Sequence, residues 1–249
     1  MSYFEFLSAF DRYRSEYEQF QRDVHILILG TLHASIQYLD TETKNVLGQI
    51  EKVMKKPLAD EHQQQLAEEH GDVQSTNSDQ EDFVRNMALV ALSSRLTHAL
   101  RKMARTAESF STRKDEYEGD DEYKKLWREY SERFQINFVA NAKRIQFVET
   151  MRRVRNQIVH DGAEANTTRP FDEIDLNSGD AGLLDMKFSK KFPQYVSGEG
   201  IGAKVSVSQK QLEDAIKRSV ELVGWLAAEL RKRELESIGN IDSPSKPEM

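Results

Sequence analysis

The run Arg155-Asn156-Gln157-Ile158-Val159-His160 brings together a guanidinium, a carboxamide and an imidazole. A guanidinium grips phosphate oxygens through a planar fork of donors, and an imidazole moves protons near neutral pH. Together they supply what a phosphodiester cleavage without a metal needs. In a helix turning about 100° per residue, Arg152, Asn156 and His160 follow one another at i, i+4 and i+8 on one face, with Arg155 on its border. Asp161 and Gly162 come next, and Gly162 is expected to end the helix in a left-handed conformation. His160 would then lie in the last turn, where the helix dipole favours the imidazolium. The structural alternative is a hydrogen-bonded polar patch at a helix end.

The element expected to carry these groups is a helix over residues 123–161, with a short helix leading into it. Its apolar residues fall into two stripes. One holds Phe134, Phe138 and Ile145, with Val148 and Val159 at its edge, and turns polar at Arg152, Asn156 and His160. The other holds Ile136, Phe147, Met151, Val154 and Ile158. The second stripe can serve the core. The first then needs another cover, either the equivalent helix of a second copy or the N-terminal helices over 3–56.

Arg155-Asn156-x-x-x-His160, late in a helix of a chain expected to be all-α, resembles the R-x4-6-H motif of the HEPN superfamily in its Arg-Asn form. The resemblance covers about residues 81–236, and its specific motif is the six residues Arg155 to His160. It implies an antiparallel helical bundle that dimerises with two motifs facing each other. It also implies metal-independent endoribonuclease activity in active members, of a toxin or phage-defence type, with an antitoxin or regulatory protein as a further partner. Other members are non-catalytic binding or dimerisation modules. One toxin subgroup carries Tyr two positions after the His; here that position is Gly162, so nucleotide transfer onto such a Tyr is not supported.

Composition restricts the alternatives. The 249 residues contain no cysteine, so disulfides and thiolate metal sites are excluded. No apolar run is long enough to span a bilayer, and the start Met1-Ser2-Tyr3-Phe4-Glu5 lacks a basic region followed by an apolar core; a cytoplasmic protein without membrane contact is expected. No glycine-rich phosphate loop or serine elbow appears. His25 and His33, and His62 and His70, are spaced eight apart without a carboxylate or His three or four positions away, so no metal site and no cofactor is expected. The net charge of −7 is unusual for a nucleic-acid binder, but charge is unevenly distributed. Lys143, Arg144, Arg152, Arg153 and Arg155 are opposed within their stretch by Glu149 alone. Arg95, Arg101, Lys102 and Arg105 line the preceding helix, and Lys187, Lys190 and Lys191 follow the motif. A basic cleft on an acidic body suits RNA, because the field near the phosphates governs binding.

Along the chain, residues 3–56 read as helical, with Gly30 a weak point and Leu39-Asp40-Thr41 a break capped by Thr41. Residues 59–80 read as polar, ending in an exposed loop or cap over 75–80. A helix over 81–110 should bury Phe83, Met87, Val90, Leu92, Leu96, Leu100 and Met103. Residues 111–122 form a charged connection broken at Gly119. Residues 162–208 hold six of the chain's 12 glycines and read as a long loop with a small ribbon of Met186-Lys187-Phe188 and Lys204-Val205-Ser206-Val207. Ser208 and Gln211 form a capping box for a last helix that buries Leu212, Ile216, Val220, Val223, Leu226 and Leu230. The expected fold is an all-α antiparallel helical bundle with a loop or β-ribbon insertion before the last helix. It comprises one domain over 1–236, with a core at 81–236, an N-terminal extension at 1–56 and a disordered tail at 237–249.

The function these features suggest is a dimeric, metal-independent endoribonuclease. Arg155 would hold the phosphate, His160 would act as general base or acid, and Asn156 would orient one or the other. Arg152, Arg153, Lys143 and Arg144 would bind RNA. The rival reading is a non-catalytic HEPN-like module that binds a nucleotide or partner, and a third is a helical protein in which the Arg–His spacing is coincidence.

Overall fold

Apolar residues recurring at three- and four-residue steps, with only five prolines in the chain, leave little to interrupt helices. A computed structural model describes residues 3–56, 59–107, 126–138, 141–165, 186–198 and 204–241; for 3–11, 27, 160–165, 186–187 and 237–241 it describes the backbone alone. The fold is all-α. Helix α1 spans Tyr3–Arg22, a π-helical stretch follows over Asp23–Gly30, and α2 spans Thr31–Met54. The 48-residue α3 spans Asp60–Ala107. Residues 126–133 are helical, ending in a π-turn over Glu129–Arg133. Then come α4 (Ala142–Ala165), α5 (Met186–Lys191), a 3-10 turn (Pro193–Tyr195), strands β1 (Val196–Ser197) and β2 (Lys204–Val205), and α6 (Gln209–Ile241). The strands pair antiparallel, with Val196 opposite Val205 and Ser197 opposite Lys204.

Two compact units make up the chain: Met1–Val24 with Leu92–Met151 and Ala215–Met249, and His25–Ala91 with Arg152–Asp214. In the first, Tyr13, Phe20, Leu96, Leu100, Met103, Tyr130, Leu222 and Leu226 are among the buried side chains. Tyr130 is fully buried and its hydroxyl donates to the Leu100 carbonyl. Burial holds that hydroxyl protonated, well above its usual range. Tyr17 of α1 lies so close to Gly224 of α6 that an added Cβ would sit 3.1 Å from a ring carbon. Lys102 pairs with Glu16 at 2.8 Å and Arg95 with Asp23 at 3.6 Å; both cations are about half exposed, so each pair contributes at most about 1 kcal/mol.

In the second unit, Asp82 and Asn86 of α3 meet residues 205–207. Asn86 donates to the Val205 carbonyl (2.8 Å) and accepts from the Val207 amide (3.1 Å). Ser206 donates to Asp82 at 3.1 Å, and Lys204 pairs with Asp79 and Asp82. Arg85 bonds Glu81 and Asp82. The capping box forms as expected: Gln211 N donates to Ser208 Oγ and Ser208 N to Gln211 Oε1.

Several expectations change. The helix carrying the motif starts at Ala142, not at 123. After Arg133 the chain reverses through Gln135, whose φ of 53° is left-handed, and Ile136 N bonds the Tyr130 carbonyl six residues back. Phe134, Ile136 and Phe138, at i, i+2 and i+4, are all buried, a pattern no helix face produces. Helix α4 also runs through Gly162 to Ala165, so His160 is not in its last turn. Residues 39–41 do not break α2: Thr41 Oγ1 donates to the Gln37 carbonyl, a bond inside a helix and not a cap. Residues 60–80 are helical, and the turn-forming run 75–80 is held in α3 by Asn77→Glu81 and by Lys204 on Asp79.

Phe83 and Met87 are 65% and 45% exposed. The face that is apolar from Leu89 onward continues upstream as Asp82, Arg85 and Asn86, where Asn86 bonds the backbone of Val205 and Val207 and Asp82 the Ser206 hydroxyl. Phe83 and Met87 point elsewhere. Met186–Lys191 is helix; β2 does form, but pairs with 196–197. Helix α6 extends to Ile241, into the stretch expected as a tail; residues 242–249 and the connection 111–122 lie outside the described residues.

Two stability outcomes follow. Gly71 is exposed inside α3 and an added Cβ meets nothing within 4 Å, so Gly71→Ala should stabilise by about 0.5–1 kcal/mol. Gly224→Ala should give no such gain because Tyr17 must move; thermal melts of both variants check this, and equal gains would remove the close-approach explanation. Glu234 is 7% exposed, and burial raises its pKa above the ordinary carboxylate range, opposed by Arg12 at 3.6 Å. The folded state therefore binds this proton more tightly than the unfolded chain, and the group's contribution weakens as pH rises through the raised value. The Tm difference between Glu234→Gln and wild type should shift in the variant's favour from pH 5 to pH 7. A constant difference would show that Glu234 does not titrate as its burial requires.

Candidate functional site

Helix α4 carries every sequence-predicted site residue. Just before it, Asn141 N bonds the Phe138 carbonyl at 2.9 Å. Val148, Met151, Val154 and Ile158 form its buried face, between 0% and 9% exposed. The remaining faces hold the charges. Lys143 and Arg153 are exposed, while Arg144, Arg152, Arg155 and Asn156 are half-buried.

Arg155 Nη1 donates to Asn156 Oδ1 at 2.9 Å. Adjacent residues on a helix point about 100° apart, so the guanidinium must fold across to reach its neighbour. This turns the cation toward the face where His160 follows Asn156 by one turn. The structure thus brings Arg155 and Asn156 together. His160 is placed by its backbone in the same helix, and its side chain lies outside the described atoms. Val159, expected at an apolar edge, is 40% exposed.

The stripe of Phe134 and Phe138 is not left for a second copy to cover. Phe138 stacks edge-on against Trp127 at 5.5 Å and Trp225 at 5.6 Å, and lies 6.4 Å from Tyr130. Tyr130 in turn contacts Phe134 at 5.9 Å. The chain's own aromatics fill this region, because Phe134 and Phe138 precede α4 instead of riding on it.

The other basic groups are dispersed. Arg95 and Lys102 are paired with acids. Lys191 lies over the Phe192 ring at 5.7 Å, and Lys190 is exposed. Sequence reasoning missed two contacts in the first unit. Arg144 lies 5.5 Å from the Trp225 ring centroid, and Arg218 lies 5.7 Å from that of Phe147. The available signal was the seven-residue spacing of Arg218 and Trp225, which puts both on one face of α6.

Among the described residues, no group of three or more His, Asp or Glu side chains is placed to hold a metal ion. His25, His33 and His62 are exposed and His70 half-buried. No described helix is long and apolar enough to cross a membrane. No family model, no curated protein and no solved structure matches this chain.

Proposed function

We propose that this chain is a metal-independent endoribonuclease of the HEPN type, acting as a homodimer on RNA. The observation that supports this best is the Arg155–Asn156 hydrogen bond, which holds a guanidinium against the helix face that His160 joins one turn later. In the proposed reaction a ribose 2′-hydroxyl attacks the adjacent phosphorus. The P–O5′ bond breaks, leaving a 2′,3′-cyclic phosphate and a free 5′-hydroxyl. The 2′ proton passes to a base, and an acid protonates the departing O5′.

Arg155 is the bidentate cation on the non-bridging oxygens, a role for electrostatic stabilisation. His160 supplies the base or the acid, typically worth roughly 10²–10⁴-fold. Asn156 fixes the guanidinium or the phosphate, Arg152 and Arg153 are the nearest further cations, and Lys143 and Arg144 extend the RNA-binding side. One imidazole does not readily serve as base and acid in a single step, so two motifs shared across a twofold dimer give the simplest chemistry. A cytoplasmic toxin or phage-defence role, with a regulatory protein as partner, belongs to the same reading.

Purified protein should cut a mixed RNA pool in EDTA. His160→Ala should reduce cleavage by at least about 100-fold without lowering Tm. Arg155→Ala should lose most activity, and Arg155→Lys should recover only part, since a point charge replaces a fork. Wild-type cleavage by folded His160→Ala would remove the histidine from the mechanism. RNA binding without cleavage by the wild type would point instead to the non-catalytic module. The shared site is tested by mixing His160→Ala and Arg155→Ala protomers. Activity above that of either parent supports a composite centre, while a strict monomer that still cleaves would overturn it.

A further inference from the structure

Five of the six residues Val24–Leu29 are apolar, so they face every side of their helix, and a helix of that kind is normally buried all round. Val24 and Ile28 are buried, but Ile26 is 63% exposed. Ile26 forms one wall of a groove of about 680 Å³ that lies within the second unit. Tyr38 of α2 and Phe83 of α3 form further walls, and each is 65% exposed. The lining also includes Gly30, Ala34 and Ser35, whose short side chains leave room for the depression. None of the ten lining residues carries a charge at neutral pH. Met87, 45% exposed, follows Phe83 by one turn of α3. Bulky projecting rings therefore stand beside a hollow of small residues on one apolar surface.

We infer that this groove is where two copies of the chain meet, each placing Phe83 in the hollow at Ala34 of the other about a twofold axis. A closed symmetric pair needs one patch that carries both a projection and its receptacle. Phe83 and Ala34 supply the two within a single groove. The area fits this occupant. With about 150–250 Å² to bury per aromatic residue, Tyr38 and Phe83 together with Ile26 and Met87 expose on the order of 450 Å². If that forms about 65% of the contact, as in the core of a homodimer interface, the whole reaches about 700 Å² per copy, close to the roughly 800 Å² of a stable one. Charge fits as well. Each copy carries −7, so a contact between copies must be free of like charge at its centre, as this lining is. A small molecule is the poorer occupant, because its pockets enclose about 70–90% of the ligand, whereas these walls remain almost two-thirds exposed. The Phe134–Phe138 stripe does not compete for the role, since Phe138 packs on the chain's own Trp127 and Trp225. The groove gives the proposed homodimer a surface and does not draw on the nuclease chemistry.

The test is light scattering with sedimentation equilibrium on the full chain across a dilution series. Wild type should be a dimer. Phe83→Lys and Ala34→Glu alter exposed helix positions, so both should fold with little change in Tm. Each should raise the dissociation constant roughly 100-fold, about tenfold at each of the two symmetric contacts. Mixing the two variants should restore association, because the new lysine meets the new glutamate at one contact and Phe83 meets Ala34 at the other. If either variant fails to fold, Phe83→Ala, which only truncates the ring, should still weaken association about tenfold or more. Leu235→Glu alters an exposed apolar side chain of the first unit and should leave the dimer intact. A wild type that stays monomeric at every concentration overturns the inference. So does a dimer that the groove variants leave unchanged, or one that Leu235→Glu weakens equally. Variants that are monomeric alone and stay so when mixed overturn the reciprocal Phe83–Ala34 pairing. Cleavage is scored separately on RNA. A dimer indifferent to the groove variants that still cuts RNA sinks this contact and leaves the nuclease standing. A groove-dependent dimer that cuts no RNA does the reverse.

Discussion

The aromatic cluster around Phe138 is the constraint on which the placement of α4 depends. Trp127, Tyr130, Phe134, Phe138 and Trp225 meet at centroid distances of 5.5–6.4 Å, mostly edge-on or tilted, as ring quadrupoles prefer. Each such pair contributes roughly 0.5–1.5 kcal/mol beyond its buried area. Gathering Trp127, Tyr130, Phe134 and Phe138 within about a dozen residues forces the chain to double back at Gln135, whose left-handed backbone is uncommon for a residue with a side chain. Tyr130 pins the cluster to α3 through Leu100. Were its hydroxyl left without that acceptor, the burial would cost free energy instead of contributing it. Helix α4 starts just after this cluster, at Ala142.

Trp225 serves two purposes within that arrangement. One contact is the edge-on packing with Phe138, and the other is the face offered to Arg144. The same ring that seats α4 therefore orders a cation on its surface. A cation of an acidic chain is held in place in this way. Net charge sets solubility and long-range repulsion, whereas a phosphate responds to charges within about a Debye length, roughly 8–10 Å at physiological salt. Cations ordered by packing act at that range without requiring the whole protein to be basic.

Helix α3 shows how one face can change its chemistry with its partner. From Leu89 to Met103 that face is buried and, apart from Ser93, apolar. One and two turns earlier the same face presents Asn86 to the peptide groups of Val205 and Val207 and Asp82 to the Ser206 hydroxyl. A two-stranded ribbon with two residues per strand is too short to stand alone. Its edge is satisfied by the side chains of α3. The Asn77–Glu81 bond and the Lys204–Asp79 pair in turn hold the polar run 75–80 helical against its own turn-forming preference.

The helices were legible in the sequence because burial repeats at three- and four-residue steps, a property of local geometry. The all-α class, the helices within 3–54, the capping box of Ser208 and Gln211, and most of the buried face of α6 follow from it. The Arg155, Asn156 and His160 spacing is equally local, and α4 keeps those residues within one helix. What spacing does not encode is where an apolar run stops being a helix. Phe134, Ile136 and Phe138 suit a helical wheel on paper, yet all three are buried across the reversal at Gln135, where Phe138 packs on the distant Trp225 as well as on near neighbours. Which face of α3 is buried near Phe83, and which ring lies under Arg144, were likewise decided by elements distant in sequence. Periodicity reports that a face is buried; tertiary structure decides against what, and so whether a leucine, an asparagine or an arginine belongs there.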